Sequence, residues 1–480
     1  MSKKILFVTS ECVPFVKTGG LGDVVGALPK ILNEKGCDAR VILPKYGAIP
    51  QQYKDEMRYI DHIYIKMNWR SQYCGIFELK RDGVIYYFID NEFYFGSPTI
   101  YGPIHEDIER FAFFDKAVLA MLQVVDFFPD ILHCNDWQAG MVPVLLRAHY
   151  DYDGRYRAMK SIMTIHNLRF QGIYDKKTIA DVCELSMDYF TPDKLEFYKD
   201  ASFLKGGLVY ADYITTVSPT YAEEIKSDYF GERLNGLLNA RSASLSGIVN
   251  GISYDDWNPE TDKFIYTNYG PNNMAEGKGA NKRALQHDLH FEESPDKLLI
   301  GMVTRLTGQK GMDLVECVLD SILANPNIQM VFLGTGEQRY EDVLRFFEWK
   351  YSGRVSAQIK FDNALSHKVY AGCDAFLMPS LFEPCGLSQM ISMRYGTLPI
   401  VRETGGLKDT VEPYNEYENT GTGYSFKNYN AHEMLNRIEN AYLTFALNKD
   451  AWTDMQKRAM ATDFSWNASA DKYIELYERL

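Results

Sequence analysis

Short, unbroken apolar runs recur through this chain, and each is followed by a polar turn and a helix-like pattern. A strand covered by helices on both faces reads as such a run, because neither face meets water. The runs occupy residues 5–8, 39–43, 85–89, 131–133, 161–165 and 213–217, and then residues 298–303, 330–333, 375–378 and 398–401. Their alternation with helical segments predicts an α/β protein with a parallel sheet in each half.

The length of 480 residues indicates two or three domains. We expect a first domain at residues 1–248 and a second at residues 249–455, because a polar stretch at residues 268–278 lies just beyond the boundary. The final segment, residues 456–480, reads as helix with a break at Ser465, a candidate N-cap. We expect this segment to cross back onto the first domain.

The sequence Thr-Gly-Gly-Leu-x-Asp occurs twice, each time after an apolar run. Lys17 precedes Gly19 and Gly20 in the first copy, and the glycines of the second copy are Gly405 and Gly406. Paired glycines let the backbone turn tightly, and the N–H groups at a helix start attract anions. The repeat predicts two nucleotide-type domains that face one anionic ligand, with the ammonium of Lys17 adding charge. The alternative is chance recurrence of a helix-start loop, with Lys17 simply solvated.

Polar residues follow two neighbouring apolar runs of the first half. Asp136 comes after residues 131–133, and His166 and Asn167 come directly after residues 161–165. Because ligands bind at the carboxyl ends of parallel strands, Asp136 is a candidate to orient a sugar hydroxyl or an acceptor. The alternatives are that Asp136 is the N-cap of the next helix and that His166 is a satisfied structural residue.

Two cations and a carboxylate follow strands of the second half. Arg305 and Lys310 lie on a Gly-containing loop after residues 298–303, where they can clamp two phosphate groups and neutralise a leaving diphosphate. Glu383 follows residues 375–378 and is suited to accept hydrogen bonds from sugar hydroxyls, while the amides after it meet phosphate. The alternatives are an exposed basic turn and an acidic N-cap.

Composition and charge exclude several kinds of partner. The net charge of −13 argues against nucleic acid and against an anionic membrane. No apolar stretch approaches the roughly 18 residues of a membrane span, and the first run is too short for a signal peptide. The eight cysteines include no Cys-x-x-Cys pair, which indicates a cytoplasmic protein without structural zinc.

Two apparent motifs do not support a cofactor or a metal. After Gly334 and Gly336, Arg339 stands where a dinucleotide fingerprint needs its third glycine. Asp151 and Asp153 lie in a polar loop that no apolar strand leads into. We therefore expect neither a cofactor nor a metal ion.

Taken together, the motifs resemble those of bacterial glycogen synthases and plant starch synthases over nearly the whole chain. They occur in family order: Lys-Thr-Gly-Gly-Leu, His133-x-x-Asp136-Trp137, His166-Asn167, Asn250-Gly251-Ile252, Trp257-Asn258-Pro259, Glu383-Pro384-Cys385-Gly386-Leu387 and the second Thr-Gly-Gly-Leu. The resemblance implies a GT-B type glycosyltransferase fold, in which two Rossmann-like α/β domains face a deep cleft.

The resemblance also implies roles for the candidate residues. Lys17, Arg305 and Lys310 would hold the donor diphosphate, with help from the amides of Gly20 and of the turn at residues 387–388. His166 would lie against the transferred glucose. The other residues expected in contact with substrates are Gly19, Asn167, Cys385, Gly386, Leu387, Ser388, Gly405 and Gly406.

Further residues are assigned by position in the family pattern. Glu383 would bind hydroxyls of the glucose, and Asp136, Tyr101 and Asn250 would surround the donor sugar or the acceptor. Phe361 stands where the family places an aromatic ring that stacks on adenine, often a Tyr.

The implied reaction transfers glucose from ADP-glucose to the non-reducing 4-OH of an α-1,4-glucan, either glycogen or a maltooligosaccharide, with retention of configuration. Two departures refine the resemblance: Ser388 stands where many members have Thr, and Ile391 stands where sucrose-linked relatives carry a second Glu. The rival interpretations are the same scaffold with UDP-glucose or another acceptor, and a glucan-binding protein without catalysis. The presence of Lys17, His166 and Glu383 counts against the second rival.

Overall fold

The computed structural model describes residues 2–480, and the chain divides into two compact units. The first unit ends its main segment at Ile248 and also includes Trp466–Leu480, whereas the second unit is Val249–Ser465. The sequence analysis grouped residues 456–465 with the final segment, but they lie in the second unit. The helix that contains most of them packs on other helices of that unit.

The first unit is built around one large mixed sheet. Its strands are β1 Lys4–Val8, β2 Asp38–Pro44, β3 Arg58–Met67, β4 Arg70–Arg81, β5 Val84–Asp90, β6 Ile131–Asn135, β7 Lys160–Ile165, β8 Ile173–Tyr174, β9 Glu196–Phe197, β10 Asp200–Ser202, β11 Tyr213–Thr216 and β12 Leu245–Gly247. β8, β10 and β9 form a small antiparallel sheet, and the large sheet has the order β12-β11-β7-β6-β1-β2-β5-β4-β3. Its pairs are parallel from β12 to β5 and antiparallel from β5 to β3.

Helices cover the large sheet. They are α1 Gly20–Glu34, α2 Gln51–Glu56, α3 Glu92–Phe95, α4 Ile104–Val124, α5 Met141–His149, α6 Gly154–Arg157, α7 Lys176–Cys183, α8 Phe203–Tyr210, α9 Pro219–Glu224 and α10 Asn235–Ala240. The apolar residues of β1 have no exposed surface, as expected for a central strand covered on both faces. The chain order reverses between β1 and β6, so the carboxyl ends of these strands mark a switch point where ligands bind in such sheets.

The second unit contains a fully parallel sheet. Its strands are β13 Leu298–Val303, β14 Ile328–Leu333, β15 Val355–Gln358, β16 Ala375–Met378, β17 Leu398–Arg402 and β18 Tyr424–Phe426, in the order β15-β14-β13-β16-β17-β18. This is the doubly wound order, with its switch point between β13 and β16. Its helices are α11 Met274–Asp288, α12 Met312–Leu323, α13 Gln338–Lys350, α14 Asn363–Gly372, α15 Ser388–Arg394, α16 Gly405–Thr410, α17 Ala431–Leu447 and α18 Lys449–Ala461.

The last helix, α19 Trp466–Arg479, packs on α1 of the first unit. The hydroxyl of Tyr477 lies 2.7 Å from Nδ1 of His133, and the other ring nitrogen of His133 lies 2.6 Å from Oγ1 of Thr164. Burial lowers the pKa of His133 to about 3, so this imidazole is neutral. His133 is therefore a structural link between the sheet and the last helix.

Every apolar run in the sequence corresponds to a strand, so the α/β class is confirmed. The sequence did not predict the hairpin β3–β4, which alternates polar and apolar residues because one of its faces is exposed. No helix among residues 2–480 is long and apolar enough to cross a membrane.

Candidate active site

A small cavity of about 60 Å³ lies at the switch point of the second unit, beyond the carboxyl ends of β13 and β16. Lys310, Glu383, Gly386, Leu387 and Ser388 line it, all of them residues that the sequence placed at a ligand site. They meet here because parallel strands carry the loops that follow them to one edge of the sheet.

Lys310 and Glu383 form the central pair of this cavity. The ammonium of Lys310 donates a hydrogen bond of 2.6 Å to Oε2 of Glu383, and the hydroxyl of Ser380 donates to the same oxygen at 3.0 Å. Only 16% and 9% of the two side chains is exposed. Glu383 is not an N-cap, because α15 begins five residues later.

The loop after Glu383 is shaped by one glycine and by a buried cysteine. Gly386 has φ +74°, and a Cβ there would come within 2.5 Å of Oε1 of Gln389. Burial raises the pKa of the Cys385 thiol to about 12, against the effect of a hydrogen bond from the backbone of Asn250. This thiol is therefore protonated and packs as a small apolar group. Ser388 begins α15, and its Oγ accepts a 3.0 Å hydrogen bond from the hydroxyl of Tyr370.

The second Thr-Gly-Gly loop packs on this same segment. A Cβ at Gly405 would lie 2.0 Å from the carbonyl oxygen of Glu383, and one at Gly406 would lie 2.1 Å from that of Cys385. The N–H of Gly406 is already donated to the carbonyls of Glu383 and Pro384, each at 3.2 Å. The glycines of the second copy thus allow close packing of two loops, and the N–H of Gly406 is occupied. That this loop faces an anionic ligand stays a prediction.

Arg305 and Phe361 are exposed on the carboxyl side of the same sheet. Arg305 follows β13, and Phe361 follows β15 with 91% of its surface exposed. The Phe361 ring is therefore not part of the core, and its stacking on a ligand stays a prediction.

In the first unit, Asp136 and His166 meet at the carboxyl ends of β6 and β7. Asp136 has φ +55°, and its carboxylate accepts a 2.8 Å hydrogen bond from the backbone N–H of His166. Asp136 makes no side-chain cap to the helical turn Trp137–Ala139, so the N-cap interpretation is wrong. Burial raises the pKa of Asp136 to about 7, opposed by hydrogen bonds from the amides of His166 and Asn167.

His166 is neutral in this environment. Burial lowers its pKa to about 3, and its Nε2 lies 2.9 Å from Oδ1 of Asn135. The neighbouring Asn167 accepts a hydrogen bond from the N–H of Arg169 at 3.1 Å, which closes the turn after β7.

Glu11 organises the first Thr-Gly-Gly loop, and the sequence interpretation missed it. Its carboxylate accepts hydrogen bonds from the N–H groups of Thr18 and Gly19, at 2.6 and 3.0 Å, and from the hydroxyl of Tyr101 at 2.6 Å. Glu11 comes three residues after β1, so the rule that found Asp136 and His166 could also have found it. The amide of Gly19 is thus occupied by a side chain.

The rest of this loop faces open space. A Cβ at Gly19 or Gly20 would meet nothing within 4 Å, and the ammonium of Lys17, with 48% of its side chain exposed, lies 2.7 Å from the carboxylate of Asp23. Asn250, in the second unit, is buried, and its side-chain oxygen has no hydrogen-bond partner among the described residues. No group of three or more His, Cys, Asp or Glu side chains within residues 2–480 is arranged to hold a metal ion.

Comparisons with known proteins identify the family of this chain. The family described as the starch synthase catalytic domain matches residues 4–240, and glycosyl transferases group 1 matches residues 287–450. The chain is 58% identical to the glycogen synthase of Lachnospira eligens over 100% of both chains, and 57% identical to that of Lachnoclostridium phytofermentans over the same share. It is 52% identical to the glycogen synthase of Geobacillus stearothermophilus, over 99% of this chain and 98% of that relative.

Solved structures support the same conclusion. The catalytic domain of starch synthase IV from Arabidopsis thaliana, bound to ADP and acarbose, matches 100% of this chain and 99% of its own with a TM-score of 0.91 and 32% identity. A sucrose-phosphate synthase from Thermosynechococcus elongatus shares the fold, with a TM-score of 0.63 and 18% identity over 99% of this chain and 98% of its own. The resemblance in the motifs is thereby confirmed, and the chain belongs to the glycogen synthase family of glycosyltransferases.

Proposed function

We propose that this protein elongates an α-1,4-glucan by transferring glucose from ADP-glucose to the non-reducing 4-OH, with retention of configuration. The observation that carries the proposal is the pairing of Lys310 with Glu383 in the cavity at the switch point of the second unit. A starch synthase structure that matches this chain with a TM-score of 0.91 was solved with ADP and acarbose, which favours an adenine nucleotide here.

The second unit would hold the donor. Lys310 and Arg305 would bind the diphosphate and neutralise the charge that develops as it leaves. Glu383 would accept hydrogen bonds from hydroxyls of the glucose, and Lys310 beside it would face the diphosphate. Because the chain carries a net charge of −13, these local cations have to supply the attraction for a dianionic donor.

The exposed ring of Phe361 would stack on the adenine. Stacking of a base on an aromatic side chain contributes on the order of 1–3 kcal/mol in nucleic-acid complexes. Phe in place of the frequent Tyr keeps the stacking face and removes one hydroxyl contact.

In the first unit, His166, Asp136 and Tyr101 would serve the transferred sugar and the acceptor. Neutral His166 donates its Nε2 N–H to Oδ1 of Asn135, which leaves Nδ1 or the ring edge for a ligand. We propose same-face transfer, in which the departing phosphate oxygen takes the proton of the acceptor hydroxyl.

We also propose that the protein works in the cytoplasm. All eight cysteines are free thiols, and six of them are buried, which suits a reducing compartment. Detection of the protein in the soluble cytoplasmic fraction of its source cells would support this, and recovery in a secreted or periplasmic fraction would contradict it.

The test of function is glucose transfer onto glycogen with ADP-glucose and UDP-glucose in parallel reactions without added metal. Incorporation from ADP-glucose and not from UDP-glucose is the expected result. Transfer from UDP-glucose alone would overturn the donor assignment, and no transfer from either would overturn catalysis. Retention is checked by digestion of the product with an enzyme that cleaves only α-1,4 links.

A further inference from the structure

We propose that Arg402 is a positioning residue for transfer: it holds the loop that carries Glu383 and thereby fixes the pair between Glu383 and Lys310. This inference rests on the function proposed for that pair. Arg402 is the last residue of β17, one strand beyond the switch point, and only 8% of its surface is exposed.

The guanidinium of Arg402 binds backbone carbonyl groups of the loop. Its Nε donates to the carbonyl of Ser380 at 2.7 Å, one terminal nitrogen donates to the carbonyl of Leu381, and the other reaches the carbonyl of Lys427 at 3.4 Å. Only a flat group with several fixed N–H donors can satisfy successive carbonyls in this way, so a lysine ammonium is not equivalent.

Ser380 links the Arg402 contacts to the side chain of Glu383. The hydroxyl of Ser380, which is 1% exposed, donates to Oε2 of Glu383, the oxygen that also accepts from Lys310. Because Arg402 fixes the carbonyls of Ser380 and Leu381, it fixes the point from which this hydroxyl reaches Glu383.

The loop that carries Lys310 is hydrogen-bonded to the loop that carries Glu383. The N–H of Leu381 donates to the carbonyl of Gln309 at 2.8 Å. The hydroxyl of Tyr429 donates to the carboxylate of Asp313 and lies 3.2 Å from the carbonyl of Gly308, while the Tyr429 ring centroid lies 5.9 Å from the guanidinium carbon of Arg402. Arg402 and Tyr429 thus lie behind the two loops whose tips form the Lys310–Glu383 pair.

The first experiment compares R402K with R354K. Arg354 is a matched control because its guanidinium also holds a backbone carbonyl, that of Asn325 at 3.0 Å, but at the start of β15 and so at the opposite end of the sheet. We expect R402K to lower kcat on the order of 10- to 100-fold, the cost of a small displacement of reacting groups, with KM for glycogen unchanged. R354K should keep the wild-type kcat. Its melting temperature should fall by as much as that of R402K.

A double-mutant cycle with E383Q separates positioning from general damage. If Arg402 acts through Glu383, adding R402K to the E383Q variant should lower kcat by less than a further threefold. Full additivity of the two losses, measured with radiolabelled donor, would overturn the inference.

A crystal structure of R402K gives a readout independent of activity. The expected result is a separation of the Lys310 and Glu383 charged atoms beyond about 4 Å, the limit of an ion pair. An unchanged Lys310–Glu383 pair would overturn the inference, whichever donor the wild-type enzyme uses. Absence of wild-type transfer from ADP-glucose would instead contradict the proposed function.

Discussion

The side-chain oxygen of Asn135 lies 2.9 Å from Nε2 of His166, and this contact fixes which nitrogen of the imidazole carries the proton. The amide nitrogen of Asn135 donates to the carbonyls of Val8 and His133, at 3.2 and 3.0 Å, so its oxygen has to face His166. Nε2 of His166 is therefore the protonated nitrogen.

We expect His166 to stay neutral, with its proton on Nε2, from pH 5 to pH 8, because burial lowers its pKa to about 3. Nitrogen-15 spectra of histidine-labelled protein report the tautomer directly, and the signal missing from His166→Gln assigns it. A His166 signal that titrates between pH 6 and pH 7 would contradict the expectation.

Loss of either cation at the proposed donor site should slow transfer strongly. Arg305→Ala and Lys310→Ala should each lower kcat by on the order of 10²–10³, if each stabilises charge on the leaving diphosphate. Lys449→Ala is the control, because Lys449 forms an exposed pair with Asp296 at 2.8 Å. The measurement is initial rate against ADP-glucose concentration, and a near-normal rate in Arg305→Ala or Lys310→Ala would remove that residue from the mechanism.

Replacement of the exposed ring of Phe361 should act on donor binding alone. Phe361→Ala should raise KM for the donor by about 5- to 100-fold, the equivalent of lost base stacking, whereas Phe361→Tyr should stay close to wild type. Stability should hardly change in either variant, because the ring is 91% exposed. Tyr417→Ala, which removes a ring that is 92% exposed elsewhere, should leave KM unchanged.

Alanine should be tolerated differently at Gly405, in the second Thr-Gly-Gly loop, and at Gly279, inside a helix. At Gly405 a Cβ would lie 2.0 Å from the carbonyl of Glu383 with φ at +43°, so Gly405→Ala should displace Glu383 and lower kcat at least tenfold. At Gly279, inside α11, a Cβ meets nothing within 4 Å, and Gly279→Ala should be neutral or stabilising by about 0.5–1 kcal/mol. Comparable kcat values for the two variants would show that the packing at Gly405 is not critical.

His133 should make the protein less stable in acid. Its pKa is about 3 in the folded protein and near its ordinary 6.5 when unfolded, so the unfolded chain binds the extra proton between these values. The free energy of unfolding should therefore fall as pH drops below 6.5, by up to about 1.4 kcal/mol per pH unit from this residue.

Urea unfolding at pH 6 and pH 5 checks the contribution of His133. The loss between the two values should be smaller in His133→Gln than in the wild type, and His432→Gln, at an exposed position, should behave like the wild type. Equal losses in the wild type and in His133→Gln would show that His133 does not contribute.

Sequence reasoning located the strands and placed several candidate residues at the carboxyl ends of those strands, because both follow from short-range rules. An unbroken apolar run predicts a buried strand, and a polar residue after it predicts a ligand-facing edge, as for Asp136 and Lys310. The role of Gly406 could not be predicted from the sequence, because its N–H donates to carbonyls of a loop more than 20 residues earlier in the chain. The function of Arg402 was hidden for the same reason: only the folded sheet brings it to Ser380.

Since α19 belongs to the first unit, the second unit is inserted within the first unit's sequence. Translation thus delivers residues 249–465 before Tyr477 can reach His133. During synthesis on the ribosome, the first unit lacks its last helix until all of residues 249–465 have been translated. A nascent chain that stalls late in synthesis therefore leaves His133 without its partner Tyr477.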